Sequence, residues 1–503
     1  MIPQSHRWFV LVAVIMAFFP IVIDMTVLHI AVPSLTLALG ATGTQVLWII
    51  DIYPLIMGGI LVPMGTLADR VGHRRMLLTG LSIFALASLW AAFSPNAISL
   101  IASRVLLAVG GAATIPSTLA LIRITFEDEK ERALALGLWS TVASAGAAIG
   151  PLIGGALLEH FWWGSVFLMN IPIMMIVLPV VFYVTPRKHE ARAGHWDIKQ
   201  ALLLIAGLLC VIYGIKAAVK PDAIMLHVAA ILTIGVVILI QFGRIQVMSH
   251  NPMLDLNLLT NPVIATGFMM AFMVTGSLAG FELLLAQELQ FVWGKTPLQA
   301  GYFMLPLMIA SGLAGPFAGR LVTYIGLRMI ATSSMLMSGL SLFALSLFDL
   351  QHHPVYAAIL LAVLGGALGT GMIASSLAIM GASPPDKAGE AGSLEATGYE
   401  MGSGIGIGLF GVLLGVMYQK GFIVPETVAQ TLAPQATQSI GEAILQAQTY
   451  PIAEKTLIIE AAHQAFLNAH NIVLVVAALT LCTLGCVVWV TLKHSGKNVS
   501  QHH

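Results

Sequence analysis

Fourteen separate stretches of this chain stay apolar for about as long as a helix needs to cross a bilayer, roughly 20 residues at about 1.5 Å each. No other feature restricts the fold as much. In hydrocarbon a spanning segment must satisfy its own backbone hydrogen bonds, and runs of this length and spacing do so as helices. Composition agrees, since 58% of the 503 residues are hydrophobic and only 9% charged, against about 25% charged in a soluble domain. The expected fold class is an all-α polytopic membrane protein. The 23 basic residues are balanced by 23 acidic ones, so nothing in the charge points to nucleic acid as a partner.

The first six stretches cover roughly 8–34, 45–67, 76–94, 98–122, 133–157 and 165–185. Two more lie at about 199–219 and 223–243, and a last six at about 263–288, 297–319, 329–348, 354–380, 389–418 and 466–492. The first is too long for a signal-peptide core and lacks a cleavage site, so it is expected to be retained. The expected organisation is a six-helix half at 1–186, a basic linker with two inserted helices at 187–250, and a second six-helix half at 251–503. A polar insertion at 420–463 separates the last two spans, and Ser439-x-x-Glu442 within it has the spacing of a helix cap. With the N-terminus inside, seventeen arginines and lysines face the cytoplasm and five face outward, Lys216 among the five. Both termini are therefore expected in the cytoplasm and the insertion outside. Cys210, Cys482 and Cys486 all lie in apolar stretches, without the companions of a disulfide framework or metal site.

An internal repeat is faintly legible. Gly65-x-Leu67-x-Asp69-Arg70-x-Gly72-His73-Arg74-Arg75 follows the second span, and Gly319-Arg320…Gly326-x-Arg328 follows the tenth. Gly110-Gly111 is echoed by Gly365-Gly366. Two similar halves suggest a transporter that rocks about a central site.

Charges inside the apolar stretches carry the functional reading, because a carboxylate at the bilayer centre costs at least ~2.5–3.5 kcal/mol and survives where it lines a cavity. The candidates are Asp24, Asp51, Glu282, Glu395 and Glu400, with Glu288 and Glu390 nearer the edges. Arg104 is the one base placed well inside, so a carboxylate partner is expected, and Asp24 at similar depth is the proposed one. Five acids against one arginine would make an electronegative cavity suited to cations. Glu390, Glu395 and Glu400 step by about 140° around a helix and cannot share one face. Glu400, about 15 Å in from Glu390, is the favoured midplane acid. Glu282, about 28 Å along its span, reads as a residue of the outer mouth or of the interface. His29 reads as interfacial. Trp48 and Tyr53 near Asp51, and Phe18 and Phe19 near Asp24, could hold an organic cation on their faces, and Trp48 could equally anchor at the interface. Gly406-Ile-Gly408-Leu-Phe-Gly411 spells a dinucleotide fingerprint inside an apolar helix with no strand before it, so it is read as packing. No Walker A motif is present.

Several of these stretches also resemble known signatures. Gly65, Leu67, Asp69, Arg70, Gly72, Arg74 and Arg75 match the loop motif of the major facilitator superfamily. There Asp69 could latch one state by pairing with an arginine across the halves. Gly146, Gly150, Pro151, Gly154 and Gly155 in the fifth span resemble that superfamily's antiporter motif, a small-residue groove beside a proline bend. Leu100…Arg104…Gly110 resembles its proton-transfer motif. Ile23-Asp24-Met25-Thr26 resembles the first span of the fourteen-span drug:proton antiporters, and Glu395-x3-Tyr399-Glu400-x-Gly402 the acidic patch of QacA-like exporters. The usual W-R-W-x-F before the sixth span reads Trp163-Gly164-Ser165-Val166-Phe167 here, without its arginine.

The resemblance implies a 6+2+6 major facilitator fold in the bacterial cytoplasmic (inner) membrane. It implies a monomeric, non-enzymatic, proton-coupled multidrug antiporter exporting lipophilic mono- and divalent cations: quaternary ammonium compounds, biguanide-type biocides, viologens and dyes. No cofactor, metal, nucleotide or nucleic acid is implied, only protons, small cationic substrates and lipid. Asp24, Arg104 and Glu400 would couple protons, and Asp24, Asp51, Tyr53, Glu282, Glu395, Tyr399 and Glu400 would contact substrate. The alternatives are an antiporter for a natural metabolite or neutral drugs, and a non-transporting membrane sensor.

Overall fold

The computed structural model describes residues 4–185, 198–218, 223–249, 252–348, 350–384, 387–424 and 434–493. Fourteen helices in it are long and apolar enough to cross a membrane. They are α1 (Gln4–Leu39), α2 (Gly43–Val71), α3 (His73–Ala92), α4 (Ala97–Thr125), α5 (Glu129–His160), α6 (Ser165–Val184) and α7 (Ile198–Ala218). The rest are α8 (Met225–Met248), α9 (Pro262–Val292), α10 (Pro297–Ile325), α11 (Leu327–Leu347), α12 (Pro354–Ala382), α13 (Ala388–Gly421) and α14 (Ile452–Thr491). Most of the basic linker, with Arg187, Lys188 and Arg192, lies outside the described residues, as do Lys220 and Lys497.

Local chemistry marks where helices start and stop, and it does so twice over. Thr42 caps α2 in a reciprocal box with Gln45, and Thr296 caps α10 in the same box with Gln299. Gly40 turns the chain from α1 into α2 at φ 57°, and Gly294 turns it from α9 into α10 at φ 61°. Gly72 and Gly326, at φ 104° and 83°, open α3 and α11. Every one of these pairs stands at the same sequence spacing, so the repeat is a repeat of turns. The echo between Gly110-Gly111 and Gly365-Gly366 shifts accordingly: Gly111 matches Gly365. A methyl on Gly111 would lie 2.8 Å from the Tyr53 hydroxyl of α2, and one on Gly365 would lie 1.9 Å from Leu307 O of α10.

Packing repeats in the same order. In the first half α1 lies on α4, α5 and α6, α2 on α4, and α3 on α4 and α6. In the second, α9 lies on α12, α13 and α14, α10 on α12, and α11 on α12 and α14. The halves meet where α2 crosses α13 and α5 crosses α10, which are the same crossing under exchange of the halves. Helices α7 and α8 pair with each other, and α7 leans on α2 and α13.

Glycine decides how close these crossings are. A methyl on Gly150 would stand 2.0 Å from Thr26 Oγ1, and one on Gly154 2.4 Å from Val27 Cγ2, so the antiporter-motif groove takes in α1. Gly155 meets Leu298 of α10 across the halves in the same way, at 2.5 Å from its Cα. The dinucleotide-like glycines also pack: Gly406 faces Gly276 of α9, while Gly408 and Gly411 face Asp51 and Leu47 of α2. These approaches between halves lie from the midplane toward the α1–α2 turn, the end called outer from the arginine and lysine asymmetry. Toward the opposite end, Gly137 on α5 and Gly319 on α10 face open space.

The expected insertion at 420–463 is shorter than its polarity suggests. α14 begins at Ile452, and its 40 residues span about 60 Å, twice the hydrocarbon thickness. Its first turns carry Glu454, Lys455 and Glu460, so hydropathy excludes them. Yet Ile458, Ala462, Ala465 and Phe466 form a buried stripe at helical spacing. Before α14 stands a short helix, Ile440–Ala447, capped by Ser439, whose Oγ accepts from Glu442 N at 3.3 Å. Residues 425–433 lie outside the described set.

Adjacent glycines give a direct check of the repeat register. Gly365→Ala should lower the midpoint of thermal unfolding in detergent, with a cost of about 1–3 kcal/mol for overpacking. Gly366→Ala, with nothing within 4 Å, should leave the midpoint unchanged or raise it. Equal effects in size-exclusion thermal scans would contradict the assigned crossing.

Candidate functional site

Asp24 sits midway along α1 and Arg104 within α4, both essentially without solvent contact. Arg104 Nη1 donates to Asp24 Oδ2 at 2.6 Å, and Nε donates to Ile49 O of α2 at 3.2 Å. The guanidinium lies over the Tyr53 ring, 4.4 Å from its centroid. Asn170 of α6 faces the same carboxylate. Four helices thus close on one charge pair. A buried guanidinium needs this much, because its planar fork holds its charge at any pH and must be met by fixed acceptors.

Glu400 approaches from the other half. On α13 its Cβ faces Gly58 of α2, where a methyl would stand 3.1 Å from it. Tyr53 lies within range of the charges of Asp24, Arg104 and Glu400. Neither the Tyr53 hydroxyl nor Glu400 Oε2 finds a hydrogen-bond partner among the described residues, although both atoms are buried. Such orphaned polar atoms are costly and uncommon outside functional sites.

The other acids are placed apart from this cluster. Glu395 accepts from Tyr399 Oη at 2.7 Å, and that hydroxyl also contacts Ser375 Oγ at 3.2 Å, so both residues turn toward α12 within the second half. The 140° step separates Glu395 from Glu400 as helix geometry requires. Glu390 lies at the inner end, exposed, 3.9 Å from Lys387 Nζ.

Several sequence expectations need correction. Lys216, counted among the outward lysines, is only 3% exposed. Its Nζ lies 2.5 Å from Asp51 Oδ2 and 3.8 Å over the Trp48 ring. The Trp48 face is therefore taken up by Lys216, and Arg104 is not the only embedded base. His29, read as interfacial, is buried and lies 3.1 Å from Glu282 Oε2. Glu282 is thus enclosed at the contact of α1 and α9 and does not line an open mouth. Glu288, in a π-helical turn at the end of α9, pairs with His470 of α14, a residue the sequence did not single out. The five-to-one excess of acid over base shrinks accordingly. Lys216 had one signal in its favour, its place inside the end of the seventh apolar stretch; His470 had its place inside the last.

The loop motif at the inner ends of α2 and α3 is also differently wired. Asp69 contacts His73 at 3.3 Å within its own loop, and Arg74 Nη2 donates to Phe182 O of α6 at 2.5 Å. The described contact of Asp69 is not an arginine of the other half. At Gly164, where the resembled W-R-W-x-F pattern has arginine, there is no room for a side chain, since a methyl would stand 2.1 Å from Ala92 O.

Comparison with known proteins gives four findings. The family model of the Major Facilitator Superfamily matches residues 14–407, more than half of the chain. The methyl viologen resistance protein SmvA of Salmonella typhimurium is 44% identical over 97% of this chain and 98% of its own length. The multidrug efflux pump LfrA of Mycolicibacterium smegmatis is 33% identical over 97% of each. Among solved structures, a bacterial homolog of the human lysosomal transporter Spinster, inward-facing and occupied, matches with a TM-score of 0.67 at 16% identity over 97% of each chain.

The Asp24–Arg104 pair should behave as a unit. Asp24→Asn leaves a buried guanidinium without its carboxylate and should cost about 3–5 kcal/mol, while adding Arg104→Met should recover most of it. Unfolding midpoints of the two single variants and the double variant in detergent check this; additive losses would mean that the pair is not coupled.

Proposed function

This chain belongs to the Major Facilitator Superfamily, and we propose that, as a transporter of a bacterial cytoplasmic membrane, it exports lipophilic cations in exchange for protons. The relatives at 44% and 33% identity, named for methyl viologen resistance and for multidrug efflux, support drug export as the coarse activity. The observation that supports the finer reading is that Glu400 of one half, with a buried unpaired oxygen, lies within charge range of Tyr53 of the other, whose ring stacks beneath the Arg104 of the Asp24–Arg104 pair.

Each part has a task. Glu400 supplies negative charge for a desolvated cation, and the Tyr53 face adds up to ~2 kcal/mol of cation–π attraction. Arg104 now covers that face, so an arriving cation and the guanidinium compete for one ring. Protonation of Asp24 removes the charge that holds Arg104. The released arginine moves off Tyr53, and the cluster spanning both halves changes its charge. Because the α2–α13 and α5–α10 crossings are equivalent under exchange of the halves, loosening them on one side and tightening them on the other exposes the cluster alternately.

Energetics set a floor on the coupling. One positive charge leaving against 100 mV costs ~2.3 kcal/mol, and each entering proton returns that plus ~1.4 kcal/mol per pH unit. At about 100 mV and a gradient of about one pH unit, pumping a dication uphill therefore needs at least two protons. Asp24 and Glu400 are two carboxyl groups in one cluster, which suits that requirement.

Proteoliposomes with an imposed pH gradient test the reading. Ethidium and methyl viologen should move against their gradients in the wild type and stop when the proton gradient is collapsed. Asp24→Asn should abolish gradient-driven movement, and undiminished export by that variant would exclude the switch. Glu400→Gln should reduce transport of the dication more than that of the monocation; equal losses would remove Glu400 from charge selection. A wild type that binds both dyes and moves neither would favour a sensor.

A further inference from the structure

The second embedded base has no part in the mechanism above. Lys216 belongs to α7, one of the two helices inserted between the halves, and reaches into the α2–α13 crossing. It gets there because α7 packs hard on α2: a methyl on Gly59 would stand 2.4 Å from Ile205 Cγ1. Its ammonium rests between Asp51 Oδ2 at 2.5 Å and the Trp48 face at 3.8 Å. A carboxylate opposite an indole face is what a bulky organic ammonium needs to leave water. Here the chain's own ammonium occupies it.

Three further observations make this more than a static ion pair. Asp51 Oδ1 is buried and has no hydrogen-bond partner, so the carboxylate is only half used. Asp51 also faces Gly408 of α13, where a methyl would stand 3.3 Å from Oδ2, which places the site on the contact between the halves. Outward of it, a pocket of about 90 Å³ is lined by Lys216, Leu47, Gln287, Tyr418, Glu442 and Phe466. Glu442 on that pocket's wall accepts from Ser439 Oγ at 2.7 Å and Gly43 N at 3.4 Å, and offers a displaced lysine a second carboxylate. Lysine suits such a move, as a compact charge on a flexible four-carbon stem.

We propose that Lys216 is a tethered stand-in for substrate. Its ammonium fills the Asp51–Trp48 cation site, and a substrate's positive group takes the site by driving Lys216 toward Glu442. The ligand class follows from spacing. Asp51 and Gly58, which faces Glu400, stand seven residues apart on α2, about 10 Å along the axis. A long dication with separated charged ends reaches both carboxylates, whereas a compact monocation reaches one. Lys216 then sets the preference between them. The inference rests on the cation-export reading and deepens it.

Binding to purified protein, with tetraphenylphosphonium as the monocation and a hexamethylene-bridged bis-quaternary dication, separates the two. Lys216→Met should raise the dication-to-monocation affinity ratio about tenfold, equal to ~1.4 kcal/mol. Lys216→Arg should restore the wild-type ratio, and Asp51→Asn with Lys216→Met should lose the gain. An unchanged ratio in Lys216→Met, or a gain that survives loss of Asp51, overturns the proposal. A wild type that binds neither cation overturns the export reading instead. The wild type also gives a test that needs no variant: the dication, but not the monocation, should raise reductive methylation of Lys216 several-fold by mass spectrometry. Labelling that does not respond to the dication overturns the proposal as well.

Discussion

A charge inside a low-dielectric bundle must be answered by another group, and most of this structure follows from that demand. Asp24 is answered by Arg104, Asp51 by Lys216, Glu282 by His29, Glu288 by His470 and Glu395 by Tyr399. Each answer comes from a different helix except the last, so every pair is also a constraint on how helices are placed. Asp24 and Asp51 each keep one buried oxygen unpaired beside the one that is answered, and Glu400 has a buried oxygen unpaired with no salt-bridge partner among the described residues. In a medium where an orphaned polar group costs so much, these unpaired oxygens are the ones the proposed cation-export reading assigns to substrate and protons.

Two kinds of contact hold the bundle, and they do different work. Glycine crossings give close, apolar, nearly shape-specified approaches: Gly150 and Gly154 to α1, Gly276 to Gly406, Gly155 to Leu298. They gain dispersion contacts without charge and tolerate small rotations. The ion pairs are stronger and discrete, made or broken by a proton or a competing cation. Both kinds converge on the crossing of α2 with α13, where Gly408 abuts Asp51 and Gly58 abuts Glu400. Chemistry at that crossing is thus coupled directly to the fit between the halves.

The inserted pair α7–α8 changes the meaning of the second embedded base. A lysine contributed by a helix outside both repeats has no counterpart at the matching place in the other half among the described residues. The near-twofold scaffold is thereby made electrostatically lopsided, with Glu442 and the short outer helix on the same side. In the role proposed for Lys216, this asymmetry lets one face of the bundle discriminate among ligands while the other face packs.

Much of the architecture was written along the chain. Apolar length gave the fourteen spans, and the loop, groove and first-span residues gave the family; the paired loops at Gly65 and Gly319 hinted at two halves, whose matching caps and turning glycines the structure then showed. The depth of Asp24 and Arg104 could be counted from span edges, which made their pairing foreseeable. Direction around a helix could not be counted so well, nor could partners more than a hundred residues off. Lys216 looked like an outward lysine, His29 like an interface histidine and 452–463 like loop, because hydropathy records position along the membrane normal and averages over the helix face. Only the tertiary packing decided which face turned inward, and with it which charges were answered and which carboxylate oxygens were left open.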